Sequence, residues 1–438
     1  MRRILAVIIF ISQIVFCQEK NNEDEKRHIL IGGTAHIGNG EIIENSTIII
    51  EGEKIIAIGP SDLVIVNTDR GNTIDLKGKH IYPSFILPNT TLGLAEIDAV
   101  RATRDERETG DLNPNVRSQI AYNTESIVSS TVRSNGILIA QVTPRGGLIA
   151  GTSSIMKLDG WNWEDATYHE DDGIHLYWPE QYSYDYHGHS HVFTSSDNSE
   201  EEKEENEVFE SISTLNNLFL EAQKYSSLKN KETDLRLNSL QDLFIGKKKL
   251  YIHVNGANGI KESVLFAKKN SIKKIVLVGA SESWRITDFI TRHNIPIILG
   301  RVHSLPNYSD DDIDQPYKTP SILKESGILF CLDYSGDMPR MGSRNLPFLA
   351  GTTVAYGLNK EEALQLITLN AAKILGIDDR TGSLETGKDA NLFISTGDAL
   401  DMISHNIEVL FLMGKKLSLD NHQTKLYKKF SKKFQLEK

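Results

Sequence analysis

Three histidines at alternate positions, His187-Gly188-His189-Ser190-His191, form the first group whose residue types could hold a metal ion. Alternate side chains of an extended segment share one side, so the spacing alone permits it. The surroundings argue otherwise, because Tyr182-Ser-Tyr-Asp-Tyr and Gly188 read as a loop next to an acidic run. Weak surface binding is the most this segment supports. Gly146-Gly-Leu-Ile-Ala-Gly151-Thr152 comes close to a phosphate loop, yet Thr152 stands where that motif needs lysine. Close backbone approach in a turn explains the glycines better, and Arg145 beside them could meet a carboxylate or phosphate. There is no Gly-x-Ser-x-Gly elbow. Cys331, inside the apolar run 327–332, reads as a buried strand residue rather than a nucleophile. Trp161, Trp163 and Trp178 with Tyr182 to Tyr186 could line a ligand pocket or pack against a second protein, with core packing the plainer alternative.

Any such group must be carried by a frame. Apolar runs at 80–86, 137–142, 249–254, 274–278, 295–299 and 328–332 read as strands, and 260–269 and 361–375 as helices after them. Strands alternating with amphipathic helices mean a parallel sheet, closed or doubly wound, with functional residues at the carboxyl ends of the strands. Residues 29–75 instead alternate short β-branched runs with turn signals at Gly32-Gly33, Gly38-Asn39-Gly40 and Gly52-Glu53. A matching pattern returns at 390–395 and 407–415, so the two ends are expected to meet in one small β-sandwich. Residues 182–246 read as an insertion. Within it 194–207 is a solvated acidic loop leading into a helix whose stripe is Val208, Ile212, Leu215, Phe219 and Ala222.

The chain has 438 residues and a formal net charge of −11. That balance argues against nucleic acid as a partner, since phosphate neutralisation needs a basic face. With 39% hydrophobic and 24% charged residues, the composition is that of a folded globular protein. Met1-Arg-Arg, the apolar run 4–16 and the polar stretch 18–27 read as a secretory signal peptide ending at residue 17. The expectation is a periplasmic or secreted protein with no transmembrane segment in the mature chain. Removal of Cys17 would leave Cys331 alone, without an internal disulfide. A lipid-modified Cys17 is the competing reading, which bulky Phe16 fits poorly.

Tyr82-Pro-Ser-Phe-Ile-Leu-Pro-Asn89-Thr-Thr91-Leu-Gly resembles the first barrel strand of the amidohydrolase superfamily, which usually shows Pro-Gly, two hydrophobic residues and Asp-x-His-x-His. Gly110 to Ile120 and Gly146 to Lys157 are similar to its imidazolonepropionase-like branch. Glu362 to Gly376 and Gly382 to Leu392 resemble its return from barrel to sandwich. The resemblance implies an α/β fold: a (β/α)8 TIM-like barrel over 81–384, interrupted near 182–246, and a sandwich from 18–80 and 385–438. It also implies hydrolysis of non-peptide C–N bonds, such as those of cyclic amides, with one or two divalent metals generating hydroxide.

Position by position, the implied metal ligands are mostly replaced. Asn89 and Thr91 stand for the first His-x-His pair, and Leu87 for the acidic residue before it. His253 is kept, but Asn255 takes the second His of that strand, and Val278-Gly279 the His-Gly of the next. Ser335 aligns with the metal- and water-binding Asp, flanked by Asp333 and Asp337. One imidazole cannot hold a catalytic zinc, which takes three protein ligands. The expectation is therefore a degenerate barrel mouth of Asn89, Thr91, His253, Asn255, Asp333, Ser335 and Asp337 with no cofactor. It would bind an unidentified small molecule, or support a catalytically competent relative or a second copy of itself as a non-catalytic subunit. The alternative is a rearranged hydrolase of cyclic amides, metal-free or with a single divalent ion such as zinc, in which His253 is the catalytic base.

Overall fold

The structure, a computed structural model, describes residues 27–68, 71–180, 198–228, 232–335 and 339–436. The signal-peptide segment, His187, His189, His191 and Asp337 lie outside the described residues.

The chain opens with β1 (Arg27–His36), β2 (Ile42–Glu51), β3 (Lys54–Pro60), β4 (Asn72–Asp75) and β5 (His80–Pro83). Gly38 and Gly52 turn the chain between β1, β2 and β3 with positive φ, as their spacing suggests. Gly32-Gly33 is not a turn. It lies inside β1, where the register with β2 shifts around Gly33 and Gly32 takes φ 86°, so the pair makes a bulge.

Eight strands follow: β6 (Phe85–Thr90), β7 (Ile137–Val142), β8 (Ile149–Lys157), β9 (Thr167–Tyr177), β10 (Lys249–Val254), β11 (Ile275–Gly279), β12 (Ile297–Leu299) and β13 (Phe330–Leu332). They form one sheet in sequence order, the barrel expected of the fold. Seven run parallel to one another, while β8 runs antiparallel to both β7 and β9. The seam between β6 and β13 is bridged by Asn370 Nδ2 donating to Phe330 O, by Ile86 N donating to Ile367 O, and by the Asn89–Asp333 pair described below.

After the barrel come β14 (Leu392–Ser395), β15 (Ile407–Leu412) and β16 (Lys415–Leu417). β14 pairs antiparallel with β5, so both ends of the chain share one continuous sheet. Leu30, Ile48, Ile50, Ile55, Ile81, Leu392 and Phe411 give it a core of its own. Phe393 faces the other way, stacked on Tyr82 at 5.4 Å and edge-on to Phe85 at 4.9 Å, and so joins the sheet to the barrel core. Gly136 lets the ring in: a Cβ there would lie 2.7 Å from Phe393.

The insertion is mainly a helix, Asn198–Ser227, packed on the barrel through Leu215, Phe219 and Ala222. It starts within the acidic run read as a loop. Glutamate is a good helix former, and negative charge near a helix N-terminus meets the positive end of its dipole.

Candidate functional site

The polar side chains of the barrel interior gather where β6 to β10 and β13 end or lie side by side. Asn89, next to last in β6, has a left-handed backbone (φ 50°), which asparagine tolerates better than most residues. Its N–H donates to Gln141 Oε1 of β7 at 3.0 Å, and its C=O accepts from Arg145 Nη2 at 2.8 Å. Its amide Nδ2 donates to Asp333 Oδ2 at 2.7 Å. Asn89 Oδ1 is buried without a partner among the described residues.

Asp333 follows β13 directly, with its N–H donating to Leu299 O. Its carboxylate is buried, and Ser335 Oγ donates to Oδ1 at 2.6 Å. The residue facing Asn89 is thus Asp333, with Ser335 as its donor. Burial pushes the Asp333 carboxyl up to about 6, against the opposing pull of Ser335, Asn89 and the charge of Arg145.

His253 of β10 lies beside a histidine that sequence reasoning missed. Its Nε2 is 2.9 Å from His175 Nδ1 on β9, and His175 Nε2 is 2.8 Å from Ser153 Oγ on β8. Ser153 Oγ donates to Asp172 Oδ1 at 2.6 Å, and Tyr251 OH and Gln141 Nε2 donate to Asp172 Oδ2 at 2.7 and 2.9 Å. Parallel pairing sets Tyr251 opposite His175 and His253 opposite Tyr177, each pair stacked, at 4.7 and 4.1 Å.

Burial pushes both imidazoles well below the usual histidine range; the next contribution is His253 for His175, and Arg145 for His253. Both are neutral, and counting protons then fixes the direction of the chain. Ser153 gives its proton to Asp172, so His175 Nε2–H donates to Ser153. His175 Nδ1 accepts from His253 Nε2–H, which leaves the lone pair of His253 on Nδ1.

The remaining expected residues stand apart. Thr91 Oγ1 accepts from Arg340 Nη1 at 3.2 Å, and Arg340 also pairs with Asp98. Asn255 lies at the turn after β10, where Glu180 accepts from the N–H groups of Asn255 and Gly256 at 3.0 and 2.7 Å. Its Oδ1 lies so close to Gly279 that a Cβ there would be 2.6 Å away. The signal for His175 was present in Gly173-Ile-His-Leu-Tyr, where His175 and Tyr177 alternate with apolar residues as Tyr251 and His253 do.

Arg145 carries the positive charge of the mouth. Partly buried, it donates to the carbonyls of Asn89, Thr143 and Pro144, and has no carboxylate in ion-pair range among the described residues. The metal implied by the resemblance does not fit this donor set. Asn89 and Asn255 offer amides and Thr91 and Ser335 hydroxyls where ligands are implied, and the Asp333 carboxylate is already occupied by Asn89 and Ser335. No group of three His, Cys, Asp or Glu side chains among the described residues is placed to hold an ion.

The amidohydrolase family model matches residues 317–421. An imidazolonepropionase of Syntrophobacter fumaroxidans is 37% identical over 68 residues, 15% of this chain and 16% of that one. One of Thermoplasma volcanium is 35% identical over 85 residues, 19% and 20% of the two chains. The matches thus span no more than a fifth of those relatives' length. Among solved structures, an amidohydrolase of Thermotoga maritima superposes with a TM-score of 0.75 at 20% identity, over 89% of this chain and 99% of that one. Molinate hydrolase superposes with a TM-score of 0.52 at 14% identity, over 91% and 95%. Both show the common fold.

Proposed function

We propose that this chain, which belongs to the amidohydrolase superfamily on its imidazolonepropionase-like side, is an exported, metal-independent binding protein for a small anionic ligand. The observation that carries the reading is the carboxylate of Asp333, held by Asn89 and Ser335 where a metal would need it free. The ligand chemistry follows from what the mouth leaves unmatched. Arg145 offers a cation with no carboxylate in ion-pair range among the described residues, and Asn89 Oδ1 is a buried acceptor that needs an N–H or O–H donor. A small carboxylate or phosphate that also carries a donor group meets both demands. A second copy or a catalytically competent relative as partner accords with the same reading.

Elemental analysis of protein purified without chelators, incubated with zinc, manganese or iron and desalted, is the test. Well under one metal per chain is expected, with an unchanged melting temperature in chelator. Near-stoichiometric retention would overturn the reading.

A specific feature favours a second reading, a metal-free hydrolase. Burial keeps His253 neutral, and the chain Asp172–Ser153–His175 fixes its tautomer, so its Nδ1 lone pair is available to accept a proton, as a general base requires. On a screen of cyclic amides, any turnover that this site supports is expected to fall at least about a hundredfold in His253→Gln. Unchanged turnover in that variant would remove His253 from the chemistry.

A further inference from the structure

The last helix, His422–Phe434, contrasts with the rest of the molecule. It holds five lysines (425, 428, 429, 432 and 433) and no acid. Without them the chain's net charge of −11 would be −16. An Asn421 capping box starts the helix, and the helix meets the body at a few residues only. There Gln423 accepts from Thr131, Asn421 donates to Ser134, and Ser431 is buried.

Beyond these contacts the helix is amphipathic. Leu426, Phe430 and Phe434 recur every fourth residue and so share a face, with Tyr427 beside them. All four are exposed, Tyr427 at 69% and Phe434 at 62%, and Leu436, just past the helix, is exposed at 71%. Phe430 and Phe434 stack on each other at 6.4 Å. Lys429 and Lys433 lie over these rings at 5.8 and 5.3 Å, along one margin of the stripe. Lys428 pairs with Asp420, whereas Lys425, Lys429, Lys432 and Lys433 make no ion pair among the described residues.

We propose that this helix docks the protein on an anionic lipid surface. Thirteen residues make a rod of about 20 Å lying along the body. A lipid interface satisfies both of its halves at once: lysines meet headgroup phosphates while Leu426, Tyr427, Phe430 and Phe434 enter the boundary with the acyl chains. The acidic remainder does not prevent this, since charges more than about 10 Å from the surface are screened at moderate salt. Among the described residues no helix is long and apolar enough to cross a membrane, so the contact is peripheral.

The test is co-sedimentation of the full chain with phosphatidylcholine vesicles, with and without phosphatidylglycerol. Two variants accompany it: Phe430→Ser with Phe434→Ser, and Lys425, Lys429, Lys432 and Lys433 each changed to Gln. All these side chains are solvent-facing, so unchanged melting curves show that both variants fold. Comparison within one chain separates the helix from the apolar N-terminal segment. The expected result is binding that rises with phosphatidylglycerol, weakens with salt, and falls about fivefold for each lysine removed. Equal binding by parent and variants, or indifference to phosphatidylglycerol, would overturn the proposal. Concentration-dependent dimerisation or oligonucleotide binding that the same variants abolish, without vesicle binding, would overturn it too and assign the face to a second copy or to a nucleic acid.

Discussion

Asp172→Ala is expected to lower the free energy of unfolding by about 3–5 kcal/mol, among the largest effects available to a single substitution. Asp172 is buried and accepts from Ser153, Tyr251 and Gln141. Without it the Tyr251 hydroxyl and the Gln141 amide face a cavity, and a buried polar group left unmatched costs about 1–3 kcal/mol. Tyr251 suffers most, since it is fully buried and its hydroxyl points at the missing oxygen. Asp172→Asn keeps one acceptor and should lose much less. Urea unfolding of both variants checks this; equal losses would mean that the volume of the side chain, not its hydrogen bonds, matters. The histidine pair gives a second reading of the same variant. With Asp172 gone, Ser153 is free to donate to His175, and the proton order along the chain to His253 is no longer set.

Asp333→Asn is expected to act in the opposite sense, and only above a certain pH. Burial raises the Asp333 carboxyl from 3.8 to about 6. The folded chain therefore binds a proton more tightly than the unfolded one, and ionisation between about 4 and 6 destabilises the fold as pH rises. At about 1.4 kcal/mol per pH unit the penalty at neutral pH is roughly 3 kcal/mol. The asparagine cannot ionise, but it gives up one acceptor, a loss of about 1 kcal/mol. The variant should be more stable than the parent by about 1–3 kcal/mol at neutral pH, and this advantage should disappear near pH 4. A difference that stays constant from acid to neutral pH would refute the account.

How much of this was legible beforehand depended on the physics of each residue. The strands β6, β7 and β10 to β13 are apolar runs bounded by turns, and the stripe Leu215, Phe219, Ala222 has helical spacing, so burial dictates both. β8 and β9 were not read as strands. Gly151-Thr-Ser-Ser and His169-Glu-Asp-Asp carry little apolar signal, because parts of these strands bury hydrogen-bonded polar groups instead. The antiparallel course of β8 also depends on contacts with its neighbours, which no local pattern encodes. At the site, Asn89, His253 and Asp333 were named because the family resemblance aligns them with or beside its strand-end positions, and the structure brings Asn89 and Asp333 together. Asp172 and His175 were missed because their importance comes from partners on other strands, Ser153 and Tyr251. Asp333 and Ser335 are two residues apart, and where β13 ends decides which of them faces Asn89.

The pairing of β14 with β5 also sets an order of events during synthesis. β5 finds one neighbour, β1, within the first stretch of chain, whereas its other neighbour begins at Leu392, about 300 residues later. At roughly 5–20 residues per second, the backbone edge of β5 stays unpaired for about 15–60 s while the whole barrel is made. An open strand edge invites pairing with another chain. The nascent protein is therefore most vulnerable to aggregation while its C-terminal strands are still missing, and a carrier that masks the β5 edge until they arrive would raise the yield of folded molecules.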